Sequence, residues 1–296
     1  MGYLFLALAL GAGLTKGYCG KKTSGYTPRV ADAMAVNTVR MGLCTGIGLL
    51  LIALQGQLPM LRPTLPLMAT AALSGIATAA FVVSWLMAVR KGAYMLVEVF
   101  LMLGVLIPLL AGVFFLQEPV RPVQWVGFLI LLVATWVMCS YNGDQKGKLT
   151  ASGFLLLAFC GVSSGLADLS QKLFVRTAPG IPAAVFNFYT YVFSAAVLLP
   201  VWLLLRKKEK IQSRTVFPRK LFGYILLMAV CLFANSYFKT LAAGLLNISE
   251  LYPLNQGAAL ILASVMSAVA FREKLTPKGI LGILLSFVGL LFINLL

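Results

Sequence analysis

Phe115-Leu116-Gln117-Glu118-Pro119-Val120-Arg121-Pro122 closes one apolar stretch and opens the next, and its echo is Phe271-Arg272-Glu273-Lys274-Leu275-Thr276-Pro277. Aligning Glu118 with Glu273 sets an offset of 155, which also pairs Pro122 with Pro277 and Gly127 with Gly282. Upstream the offset becomes 152 and pairs Ser84 with Ser236, Gly92 with Gly244 and Glu98 with Glu250. Farther upstream Lys16 answers Lys172, with a GxxxG motif near each lysine: Gly13/Gly17 spans Lys16 and Gly161/Gly165 precedes Lys172. Each half then holds five apolar stretches. If each stretch crosses a membrane, an odd number forces the halves into opposite orientations. The expected fold is therefore an inverted repeat, the architecture of alternating access, with a binding site near the midplane.

Composition supports a membrane chain. Of the 296 residues 60% are apolar and 11% charged, against roughly 25% charged in a soluble chain. Lys and Arg supply 24 of the 32 charges, giving a formal +16. With so little solvated surface, that excess describes short loops beside anionic lipid headgroups rather than a nucleic-acid patch. Histidine is absent, which excludes His triads, His metal sites and imidazole acid–base chemistry. Cys19, Cys44, Cys139, Cys160 and Cys231 are scattered, odd in number and form no CxxC, so they read as small apolar residues. No metal or cofactor site is expected, and no cleavable signal.

Uncharged runs cover 1–15, 41–61, 63–89, 99–117, 122–143, 149–167, 177–205, 221–238, 251–271 and 279–296. A spanning helix needs about 20 mostly apolar residues, so ten spans are expected in an all-α polytopic membrane protein. The first should end near Lys16, the second begin near Ala33 with Arg40 in its first turns, and the fourth begin near Gly92. Two five-helix units, 1–143 and 149–296, are joined by a loop at 144–148. Loops 1–2, 3–4, 5–6, 7–8 and 9–10 carry 18 Lys or Arg against 5 in the alternate loops. Cytoplasmic loops collect such residues, so the basic 206–220 loop is expected inside and both termini outside a cell (plasma or inner) membrane.

The short first helix ending in Lys16, the Arg at the start of the second span and the twin turns Leu116-Gln117-Glu118 and Phe271-Arg272-Glu273 together resemble the EamA-type branch of the drug/metabolite transporter superfamily. The resemblance covers the whole chain. It implies ten helices and secondary transport of small organic solutes, across a substrate range from amino acids and amines to sugars and nucleotide conjugates. Many relatives keep their termini cytoplasmic, a point on which the charge count here departs from them.

An intramembrane carboxylate costs about 2.5–3.5 kcal/mol on insertion scales and usually faces a cavity or a partner. Asp32, Asp144 and Glu209 fall in or beside loops, and Glu118 and Glu273 are expected to cap the helices that follow their turns. Glu98 and Glu250 read two ways: as local pairs with Lys91 and Lys239, or as cavity carboxylates that bind a substrate cation or carry a coupling proton. Asp168 and Lys172 form an i,i+4 pair, with Ser164 one turn earlier. That pair is either self-neutralised or aimed into a cavity. Asn187, Tyr191 and Ser194 form a helical stripe in the seventh span, as do Ser249, Tyr252 and Gln256 in the ninth. Thr70, Ser74 and Thr78 form a milder one, read as interhelical bonding. Trp125, Trp136 and Trp202 suit a headgroup belt, while Trp85 could line a site. The GxxxG motifs, including Gly42/Gly46, read as close helix contacts.

The site is therefore expected among Glu98, Glu250, Asp168, Lys172, Asn187, Tyr191, Tyr252, Gln256 and Trp85. The favoured function is secondary transport of an organic cation, an amino acid or another zwitterion, driven by protons or by exchange, with the bilayer and a small-molecule substrate as partners. Lys16 and Lys239 should snorkel to water from helix ends, and Tyr252, Tyr191 or Trp85 would offer aromatic faces to an ammonium. The alternatives are a lipid or lipid-linked sugar flippase of the same fold, and a membrane-embedded lipid-modifying enzyme. The enzyme reading is disfavoured by the missing histidine and acidic cluster, and the chain is not expected to be an enzyme.

Overall fold

The computed structural model describes residues 1–91, 94–118, 120–141, 151–208, 219–272 and 277–294. The expected 144–148 connector, the Glu273 turn residue and most of the 206–220 loop lie outside the described residues, as does the side chain of Lys91. Eleven α-helices and no strands occur among the described residues: α1 Gly2–Ser24, α2 Val30–Leu54, α3 Leu65–Lys91, α4 Tyr94–Gly104, α5 Leu106–Phe114, α6 Pro122–Tyr141, α7 Ala151–Thr177, α8 Ala183–Lys208, α9 Arg219–Ala243, α10 Ile248–Ala270 and α11 Pro277–Asn294. Six of them, α2, α3 and α7 to α10, are long and apolar enough to cross a membrane by length and composition. The chain is a multi-pass membrane protein. Its most exposed side chains include Leu65, Phe115, Trp136 and Val269, while Asn37, Arg40, Asp168 and Asn187 are buried. That inside-out distribution suits a lipid solvent.

Two expected boundaries shift. The first helix does not stop at Lys16 but runs on through Lys21 and Lys22 to Ser24, because no proline occurs before Pro28. The fourth stretch is two helices, broken at Val105. Pro108 lacks the N–H that would bond to the Gly104 carbonyl and its ring crowds that turn. The second helix starts at Val30, three residues early, because Asp32 accepts the Arg29 N–H at 3.1 Å and closes its first turn.

The helices pack in mated pairs. α1 runs along α9 as α3 runs along α7, α2 meets α9 as α8 meets α3, and α4 meets α7 as α10 meets α1. α2–α8, α6–α11 and α4–α10 are their own mates. Exchanging α1–α6 with α7–α11 therefore preserves these pairings. The twin turns carry the same signature in the backbone: Gln117 (φ 52°) and Arg272 (φ 54°) are the two positive-φ residues other than glycine among the described residues, and they stand 155 apart. A left-handed conformation is uncommon outside glycine, so its recurrence at matched positions marks the repeat more sharply than the residue identities do.

Glycine sets two close crossings. A Cβ on Gly165 would lie 2.2 Å from the Gly104 carbonyl oxygen, and one on Gly161 would lie 2.4 Å from that of Phe100. The carbonyl freed by Pro108 thus faces a helix that has no side chain there. Gly127 and Gly289 oppose each other in the same way, each with a would-be Cβ within 3 Å of the other's oxygen. The Gly42/Gly46 motif is different. Both residues are exposed with nothing within 4 Å of an added Cβ, so that motif is a lipid-facing surface and not the close contact expected. Gly165→Ala should therefore lower the thermal unfolding midpoint in detergent, by about 1–3 kcal/mol of overpacking. Gly42→Ala should leave the midpoint level or slightly raised.

Candidate functional site

The helices enclose a polar cavity between the two halves, with space for water of about 90 Å³. One water needs roughly 10–15 Å³, so a small solute fits. From the first half, α1 contributes Lys16, α3 Thr78, Phe81 and Trp85, and α4 Glu98. From the second, α7 contributes Ser164, Asp168 and Gln171, α8 Tyr191, α9 Asn235, Ser236 and Lys239, and α10 Asn255 and Gln256. Two cations and two carboxylates line it, so the wall is charge-balanced.

Asp168 is the centre of the polar wall. Its Oδ1 accepts from Lys239 Nζ in an ion pair between side chains only 1% and 11% exposed. Its main-chain oxygen accepts the Tyr252 hydroxyl at 2.6 Å. Lys172, the expected partner, pairs elsewhere. Lys172 Nζ lies 3.0 Å from Glu118 Oε1 and donates to the carbonyls of Ala243 (3.3 Å), the last residue of α9, and Leu246 (2.9 Å), in the turn after it. The i,i+4 reading is corrected by a helical turn of height: Lys172 reaches the α9–α10 turn, while Asp168 stays level with Lys239. Glu118 is corrected too. Its Oε2 accepts the Ile248 N–H at 2.8 Å, so it caps α10 across the repeat and not the helix that follows its own turn.

Of the residues singled out in the sequence, Glu98, Asp168, Tyr191, Gln256 and Trp85 line the cavity. Lys172 holds the Glu118 network. Tyr252 is wholly buried behind Asp168. Asn187 supports the wall, taking a bond from the Ser236 hydroxyl and giving one to the Ala183 carbonyl at 2.8 Å. Glu250 lies half-buried in the first turn of α10, outside the lining, and the lysine expected to neutralise it, Lys239, is taken by Asp168. Thr78, read as interhelical bonding, lines the cavity. Lys16 and Lys239 line it as well and do not snorkel from helix ends, because α1 and α9 both continue past them. The Lys16 ammonium sits over the Phe81 ring, 5.5 Å from its centroid. Arg40 is buried in α2 outside the lining.

Gln171, Asn235, Ser236 and Asn255 were missed. Asn235, Ser236 and Lys239 at i, i+1 and i+4 on an otherwise apolar helix were the available signal, as was Asn255 beside Gln256. Asn235 Nδ2 reaches across to the Ala9 carbonyl at 2.7 Å, where Gly13 leaves α1 bare enough to admit it: a Cβ on Gly13 would lie 3.2 Å from that nitrogen. Among the described residues no group of three His, Cys, Asp or Glu could hold a metal ion.

None of the curated protein sequences gives a significant match. A solved structure described as "Crystal structure of protein" shares the fold, with a TM-score of 0.71 at 16% identity over 99% of this chain and 95% of that one. The EamA-like transporter family matches twice, over residues 3–140 and 151–295. Two matches in tandem across a helical chain with mated packing leave one conclusion: the chain belongs to the EamA-like transporter family, the EamA type of the drug/metabolite transporter superfamily.

Proposed function

We propose that this protein is a secondary, alternating-access transporter of a small polar organic solute, with a zwitterion favoured over a bare cation. The observation that carries this reading is the charge-balanced cavity lined from both halves, with Lys16 and Lys239 offsetting Glu98 and Asp168. A bare cation would leave that wall with a surplus charge in a low-dielectric setting, whereas a zwitterion adds none. In this reading ten spans, with α4 and α5 together forming the fourth, make two five-helix units of opposite orientation that rock about the cavity.

The inverted arrangement also accounts for the unequal fates of Glu98 and Glu250. Mates in an inverted repeat lie toward opposite membrane faces, so a cavity that leans to one face takes in one of them. Glu98→Gln should slow transport at least tenfold and flatten its pH dependence in proteoliposomes. Glu250→Gln, outside the lining, should change either by less than twofold.

Counterflow tests the function. Vesicles loaded with unlabelled L-amino acids should transiently concentrate labelled amino acids above protein-free vesicles. Vesicles that scramble fluorescent lipids but show no counterflow would move the assignment to a flippase. Orientation has its own test. With termini outside, a cysteine placed at Lys207 should resist membrane-impermeant maleimide in intact cells; rapid labelling there would reverse the orientation.

A further inference from the structure

Three buried oxygens in the cavity wall have no hydrogen-bond donor among the described residues. Asp168 Oδ2, Gln171 Oε1 and Asn255 Oδ1 are buried acceptor atoms with no partner among the described residues, on side chains of residues 1%, 4% and 6% exposed that all line the cavity. The hydrogen bonds of the nearest donors run to other acceptors. Lys239 Nζ donates a hydrogen bond to the other oxygen of Asp168. Gln171 Nε2 donates to Ser236 Oγ at 3.2 Å. The Ser236 hydroxyl donates in turn to Asn187 Oδ1, and Asn187 Nδ2 is used on the Ala183 carbonyl. This relay runs one way and fixes the Gln171 amide with its oxygen left over. Buried acceptors without donors raise the free energy of the empty protein, and a ligand that brings N–H groups recovers it.

We infer that Asp168, Gln171 and Asn255 form a subsite that reads the N–H groups of a primary ammonium, and so select amino-acid-like zwitterions over N-alkylated ones. A primary ammonium carries three donors and no acceptor, which matches three waiting oxygens on α7 and α10. A quaternary ammonium has the same charge and can satisfy none of them. The ligand's carboxylate lies toward Lys16, whose Nζ has no carboxylate within 4 Å among the described residues and whose charge is held over Phe81. This inference rests on the transporter reading above and adds the chemistry of the group recognised.

The test uses the purified full-length protein in detergent and three pools at equal concentration: the twenty L-amino acids, their N-trimethyl betaines, and the corresponding decarboxylated amines. The amino-acid pool should raise the thermal midpoint by several degrees, and each of the other two by less than a quarter of that. Asn255→Leu should then weaken amino-acid binding at least tenfold while the ligand-free midpoint stays level or rises, because an unsatisfied buried acceptor has been removed. A purely structural asparagine would give the opposite pair of results. Betaines that stabilise as well as amino acids would overturn the N–H subsite and leave the transporter standing. So would an Asn255→Leu variant that loses ligand-free stability yet responds to amino acids normally, with Gln171→Leu behaving alike. If no pool moves the wild-type midpoint, the small-zwitterion reading fails and the subsite fails with it.

Discussion

Asp168→Asn should cost about 3–5 kcal/mol of stability, the usual penalty for removing one partner of a buried ion pair. The reason lies with the partner left behind. Lys239 Nζ sits on a side chain only 11% exposed, and its carboxylate is on one just 1% exposed, so the ammonium would be stranded in a low-dielectric wall. Asparagine keeps the shape and one acceptor but not the charge. The paired change Asp168→Asn/Lys239→Met removes both charges and should recover most of that loss. It should not recover transport, because the cavity would lose a cation and a carboxylate from its lining. Lys172→Met combined with Asp168→Asn should show no such rescue, since Lys172 neutralises Glu118 instead. Unfolding midpoints of the three variants, read beside counterflow, separate these outcomes.

Glu118 should show the second large effect. One carboxylate serves two elements of the other half of the chain: Oε1 faces Lys172 at 3.0 Å and Oε2 accepts the first N–H of α10 at 2.8 Å. Hydrogen bonds to a charged group contribute about 1.5–3 kcal/mol. Glu118→Gln retains an acceptor for Ile248 and loses the charge, while Glu118→Ala loses both. The expected order of midpoints is wild type, then Gln, then Ala, with Glu118→Ala lower by about 2–4 kcal/mol in all. Arg176 strengthens the same corner by donating to the Leu116 carbonyl, so the turn that first revealed the repeat also ties α7 and α10 to the opposite half.

That turn shows how far a sequence of this type can be read. Gln117 and Arg272 hold the same left-handed backbone at matched positions, so the repeat inferred from a handful of identities is present in the conformation. Long-range charge partners were not readable. Spacing on one helix can only suggest a partner on that helix, and it paired Asp168 with Lys172. The true partners, Lys239 and Glu118, come from elements 71 and 54 residues away in sequence. Lys16 was misplaced for a related reason: a charge ends an uncharged run without ending a helix, and α1 continues for two further turns. Glu98, Asp168, Tyr191, Gln256 and Trp85 were found because a large polar or aromatic group in an apolar span is itself a signal. Gln171, Asn235, Ser236 and Asn255 gave the same signal more faintly, beside residues that drew attention first.

Access to the cavity from the two faces of the membrane tests the account most directly. Ala259 lines the cavity on α10 and carries no polar group that the wall uses. In a background with the five native cysteines replaced, Ala259→Cys in oriented proteoliposomes should react with a membrane-impermeant maleimide added to either side. The two rates should change in opposite senses when an L-amino-acid gradient is imposed. Reaction from a single side under every gradient, or from neither, would contradict a cavity that the two halves expose in turn.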